Sequence, residues 1–250
     1  MESRYTRRKG GVMLIAVLNQ STLVDNDQAA AMTQAVASQI RYDTAPAWDR
    51  NPAAVVFYTD PVAVPPNAHG VAIVDTIQNE PQGVLGYHTE DPGGNYWGIV
   101  AAKPSLDNGG SVLTGDWSVS SILSHEVQEM FGDPNVNLWG ASGRYMYSLE
   151  LCDPVEAPTY PITGVSVSNF ITPAWFDPLA VKTAKFDHLG LLRAPFSLLH
   201  GGYMVYSSEG RERQKFGDRY PDWRINMKQG ALARTQRRRA QVSALDNSGQ

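Results

Sequence analysis

Residues 12–18, Val-Met-Leu-Ile-Ala-Val-Leu, form an unbroken apolar run with the length of a strand buried on both faces. An alanine-rich stretch follows, and Asp25 or Asp27 supplies an N-cap for a helix running to about Arg41. Residues 54–58 and 70–75 repeat the strand pattern on either side of a connection broken by Pro61, Pro65 and Pro66. The run 84–88 is short, contains Gly86 and meets the turn sequence Asp91-Pro92-Gly93-Gly94, so it reads as an edge strand. Residues 96–101 complete the set. The predicted order is β-α-β-β-β-β, followed by a helix over about 117–131 with Asp116 or Ser118 as its N-cap.

Past Pro134 the chain becomes aromatic and turn-rich, and residues 161–167 and 202–206 read as hairpin strands. From about Gln229 apolar periodicity ends, and 231–250 reads as a mobile tail. The expected fold class is therefore α+β, divided into 1–134, a small β-rich part 135–228, and a basic tail 229–250. No internal repeat is visible.

Composition narrows the class. With 42% apolar and 10% aromatic residues in 250, the chain can build a sizeable core, which excludes disorder as the default. The 22 glycines and 16 prolines fall between short apolar runs, as in a loop-rich protein. The net charge of −4 conceals basic ends and an acidic body. Arg7-Arg8-Lys9 and Arg237-Arg238-Arg239 offer weak nucleic-acid contact, although such tails are usually just solvated. A lone Cys152 excludes an intramolecular disulfide and fits a reducing compartment. The basic start is followed by too short an apolar run, then by Asp25 and Asp27, which is not a signal-peptide pattern; a cytoplasmic location is expected. No segment approaches the length of a membrane span.

The chemistry lies in Ser124-His125-Glu126-Val127-Gln128-Glu129. On a helix, Val119, Leu123, Val127 and Met130 form an apolar stripe, while His125 and Glu129 share a nearly opposite face. Their i, i+4 spacing places imidazole and carboxylate one turn apart, as two ligands of one divalent ion require. Glu126, next to them, can hold the water as general base without ligating. A third ligand must come from elsewhere. Asp133 follows by one turn, but Gly132-Asp133-Pro134 reads as a helix stop that turns the chain away. The segment from Glu150 through Asp153 to Glu156 is richer in carboxylates.

His125-Glu126-x-x-Glu129 resembles the zincin metallopeptidase signature with its second histidine replaced by glutamate. The order of strands, early helix, edge strand and later helix is similar too. Leu85-Gly86-Tyr87-His88, Ser124-His125-Glu126-x-x-Glu129-Met130 with Asp133-Pro134, and Glu150-x-x-Asp153-Pro154 together resemble uncharacterised zincin-like proteins of bacteria and their phages, across most of 13–225. The resemblance implies a zincin-like mixed sheet, a zinc-dependent peptidase activity with Glu126 as catalytic base, and a peptide or protein substrate paired with strand 84–88 by β-augmentation. Because gluzincins take their third ligand as a downstream glutamate, Glu150 ranks first, then Asp153, then Asp133. One imidazole with two carboxylates is an oxygen-rich set, so Ca2+ and Mn2+ compete with Zn2+. A scaffold of this kind also serves non-catalytic roles, such as a virion component with virion partners or a peptide-binding module. Tyr145, Tyr147 and Tyr160 are candidates for stabilising an oxyanion.

Other features have plainer readings. His88 on an edge strand is more often structural or substrate-facing than a ligand, and His69, His188 and His200 are expected to stand apart. Cys152 reads as a buried, inert thiol. Gly93-Gly94 and Gly109-Gly110 lack the context of phosphate loops. Trp139, Trp175 and Trp223 are expected in the core of the aromatic half.

Overall fold

In the computed structural model, which describes residues 12–78, 84–90 and 96–217, the first apolar run becomes β1 (Leu14–Asn19) at the heart of a five-stranded sheet. The protein is α+β. Parallel neighbours β2 (Ala54–Tyr58) and β3 (His69–Val74) flank β1, which explains why Ile15, Ala16 and Val17 are fully buried. The remaining strands are β4 (Gly86–Glu90) and β5 (Tyr96–Ala101). β5 continues the parallel ladder, and β4 closes the sheet antiparallel to it, giving the order β2-β1-β3-β5-β4 with β4 on the edge.

Asp25 starts α1 (Asn26–Gln39), because Gln28 completes a capping box with it. The helix widens into a π turn over Ile40–Thr44 and ends in the short α2 (Ala45–Ala47). A further short helix, α3 (Ala102–Asp107), follows β5 directly, an element the apolar pattern does not predict. The long second helix is α4 (Val119–Gly132), capped by Ser118, whose hydroxyl accepts from the Ser121 amide. α1 covers β1 and β2, α4 covers β3, β4 and β5, and the two helices touch.

The second half contains a four-stranded antiparallel sheet and a separate hairpin. Its strands are β6 (Trp139–Ser142), β7 (Tyr145–Ser148), β8 (Thr159–Ile162), β9 (Val165–Ser168), β10 (Tyr203–Ser208) and β11 (Arg211–Phe216). The sheet order is β11-β10-β7-β6, and β8 pairs with β9 across Thr163 and Gly164, both at positive φ. Two cores result. Val165 and Val167 join α1, α4 and the first sheet in one of them, so the β8–β9 hairpin, although beyond residue 134, packs on the first half. Trp175, Phe186, Ile171 and Met204 centre the other. Trp175 is buried as expected, Trp139 only partly, and Trp223 lies outside the described residues. So do the basic clusters at both ends, the tail 229–250 and the Asp91-to-Gly94 turn. Among the described residues no helix is long and apolar enough to cross a membrane.

Candidate metal centre

Helix α4 is sandwiched between the first sheet and β9, and this decides which way its polar side chains face. The apolar stripe of Val119, Leu123, Val127 and Met130 is buried against the sheet side of the core. The polar positions are enclosed too. Ser124 donates to Gln39 Oε1 at 2.6 Å and accepts from the Ser168 amide at 2.9 Å. Gln128 accepts from Thr44 at 2.8 Å and donates to the Ser168 carbonyl at 3.2 Å. These bonds tie α4 to α1, the π turn and β9, which fixes its rotation about its axis. Arg50 adds an anchor at the other end, donating to the carbonyls of Phe131 and Gly132 that the helix leaves open.

With the rotation set, His125 and Glu129 meet a third group from the second half. His125 Nε2 lies 3.1 Å from Glu129 Oε1 and 3.2 Å from Asp153 Oδ1. Asp153 opens a single 3-10 turn, Asp153–Val155, on which β10 packs. Gly202 makes that contact possible, since a Cβ there would run into the Pro154 carbonyl group. The three ligand atoms lie within 4.8 Å of one another. Ligand atoms of a small four-coordinate divalent ion stand ~3.3–3.6 Å apart, so the two contact distances fit such an ion with adjustments of a few tenths of an ångström. Burial disfavours charge on His125, yet the Glu129 carboxylate and hydrogen bonds to Asp153 and Glu129 hold its pKa well above the ordinary value. The pocket thus attracts a cation where the imidazole sits.

The other side of Glu129 faces a second grouping. Glu126 Oε2 and Glu129 Oε2 each lie 3.7 Å from His88 Nδ1. Glu126 also lies beneath the edge strand, close to the Cα of Gly86. Sequence reasoning gave His88 a structural or substrate-facing place, because nothing in the spacing of residues 88 and 126 shows that the β4 edge docks over α4.

The remaining sequence-derived candidates are placed as follows. Glu150 is buried but falls in neither grouping. Asp133 is the C-cap of α4; its Oδ2 accepts from the Leu138 amide at 2.8 Å, and it too belongs to neither grouping. Tyr160 donates to Asp43 at 2.8 Å, and Tyr147 stacks on Phe196 in the second core. The tyrosine at the acidic site is Tyr203, the first residue of β10. Burial, then the charges of Asp153, Glu156, Glu129 and Glu150, push its hydroxyl pKa well up, so it stays a donor. No signal in the sequence singles it out from ten other tyrosines. Cys152 is fully buried, accepts from Gln128 and has its thiol pKa raised chiefly by burial. His69 lies tilted against Tyr96, and His188 stacks between Tyr160 and Phe170; burial lowers the pKa of both. No protein-family model, curated protein or solved structure matches the chain.

Proposed function

We propose that this chain is a zincin-like metal-dependent peptidase in which His125, Glu129 and Asp153 hold one divalent ion, zinc by the fit of its ligand set. The observation that carries the reading is the meeting of these three ligand atoms, two from one turn of α4 and one from a distant 3-10 turn, within 4.8 Å of one another. Such an ion, when bound, acidifies water and polarises a carbonyl.

The chain's own groups do the rest. Glu126, one residue along the helix from His125, takes the proton from the attacking water and passes it to the leaving amine. Tyr203, kept protonated by burial and by its acidic neighbours, donates a hydrogen bond to the oxygen on which negative charge develops. The open side of β4 accepts an extended peptide as a further strand, because among the described residues no strand of the sheet lies beyond it.

Elemental analysis of purified protein combined with hydrolysis of a mixed peptide library tests this. His125→Ala is expected to lose one equivalent of zinc. Glu126→Gln is expected to retain that zinc while hydrolysis falls by about 10²–10⁴-fold. A folded protein without metal, or His125→Ala with unchanged zinc content, overturns the reading.

A further inference from the structure

We propose that His88, Glu126 and Glu129 form a second divalent-cation site, in which Glu126 ligates through Oε2 and keeps Oε1 for its role as base, and that Glu129 bridges it to the first, one carboxylate oxygen to each ion. The bridging role rests on the proposed His125 site; the second site itself does not.

Three features on separate elements support it. First, His88 Nε2 lies 3.2 Å from the backbone carbonyl of Asp133. A carbonyl only accepts, so Nε2 carries the hydrogen and Nδ1 is the nitrogen directed at the carboxylates. A ring nitrogen held in this way by a carbonyl on its far side is the usual setting of a metal-ligating histidine. Second, Nδ1 is equidistant, at 3.7 Å, from an oxygen of Glu126 and an oxygen of Glu129. Two buried carboxylates converge on one imidazole nitrogen there, an arrangement that calls for a positive charge between them, a proton or a metal ion. Third, Glu126 is 5% exposed, and its Oε2, the atom aimed at His88, accepts no hydrogen bond from the described residues. A buried carboxylate oxygen without a donor is strongly unfavourable unless a cation satisfies it.

The arrangement of Glu129 joins the two sites. Its Oε1 faces His125, and its Oε2 faces His88. One nitrogen with two carboxylate oxygens suits zinc or manganese, with further positions left for water. Such an ion would fasten the edge strand β4, through His88, to α4.

Mn2+ binding to the metal-stripped full-length protein decides the matter. The wild type is expected to bind two equivalents, and its electron paramagnetic resonance spectrum to show a spin-coupled pair through the shared carboxylate. His88→Ala is expected to bind half as much and to show only uncoupled Mn2+. The wild-type spectrum alone keeps the test decisive should that variant fail to fold. One equivalent in the wild type, uncoupled and retained in His88→Ala, overturns the second site and leaves the His125 reading intact. Two equivalents without coupling overturn the bridge. No bound ion overturns both.

Discussion

Gly86 leaves Glu126 no spare room: a Cβ there would lie 2.7 Å from Glu126 Oε1 and 2.9 Å from the Ile99 carbonyl oxygen. The carbonyl belongs to the sheet ladder and cannot yield, so Gly86→Ala must push the Glu126 carboxylate aside. The expected result is a loss of peptide hydrolysis with the zinc of the His125 site retained, read by paired activity and elemental assays; unchanged activity would remove Glu126 from the proposed base position. At this scale His125, Glu126 and Glu129 were legible because helical spacing alone brings them together. Asp153 was legible only as one of several carboxylates after residue 149, and Glu150 ranked above it. His88 and Tyr203 depend on how β4 and β10 dock, which spacing does not encode. A different residue yields a pH prediction. Asp75, past the end of β3, accepts from the Thr22 amide at 2.8 Å and the Thr22 hydroxyl at 2.7 Å. Hydrogen bonds from Ser21 and Thr22 lower its pKa from 3.8 to about 2. A depressed carboxylate pKa contributes stability above the unfolded value that is lost as pH falls through the folded one. The stability difference between wild type and Asp75→Asn should therefore be constant above pH 3.8 and vanish as pH falls through about 2 in acid-unfolding curves. Asp75 is half-buried at the surface, so added salt should shrink that difference in part.

At the scale of elements, α4 shows what periodicity reveals and what it hides. The apolar stripe located the helix and its sheet-facing side. It also implied an opposite face open to a cleft, whereas Ser124, Gln128 and Glu129 are buried, because β9 and the π turn close over them. Gln128 is the central tie. Gln128→Ala leaves the Thr44 hydroxyl without its acceptor, while the Ser168 carbonyl still accepts from Gln39; the lost partner costs about 1–3 kcal/mol and the emptied buried space adds to it. Urea unfolding is expected to show a loss of about 2–4 kcal/mol. Zinc affinity should fall with it, since the helix rotation that aims His125 at Asp153 is no longer fixed. A variant as stable as wild type would show that the network does not hold the helix. Four strands of the first sheet were legible for the same reason as the stripe, as runs of mainly apolar residues, whereas β4, Gly-Tyr-His-Thr-Glu, lies two residues further on than the run at 84–88 suggests. β11, Arg-Glu-Arg-Gln-Lys-Phe, was not, because it is held by its ladder to β10 and its side chains are mostly exposed. β6 and β7 hide in the same way, being short and only partly buried. Asp25 prevailed over Asp27 as the cap of α1 because Gln28, and no residue three after Asp27, returns the second bond of a capping box.

For the whole molecule, the change of texture at Pro134 does not say which core a hairpin joins. β8–β9 carries apolar residues that suit either half and packs on the first. The consequence is that α4 is enclosed from both sides, and that the proposed ligand set spans the two cores. His125 and Glu129 stand on a helix of the first, while Asp153 sits on the turn that Gly202 and β10 brace from the second. An ion holding all three would couple the two cores, and a ligand that binds only the folded state at 100 times its Kd contributes about 2.7 kcal/mol. Calorimetry of the zinc-loaded chain should show one transition, and chelation should lower its Tm or split it into two. Gly202→Ala offers the sharper version of the same test. Its Cβ would force β10 away from Pro154 and carry Tyr203 and the Asp153 turn off α4. The Tm gained on adding zinc should then shrink well below the wild-type gain, even if the zinc-free variant is also less stable than the zinc-free wild type. If the gain is undiminished, Asp153 is not among the atoms that hold the ion, and the site draws its ligands from the first core alone.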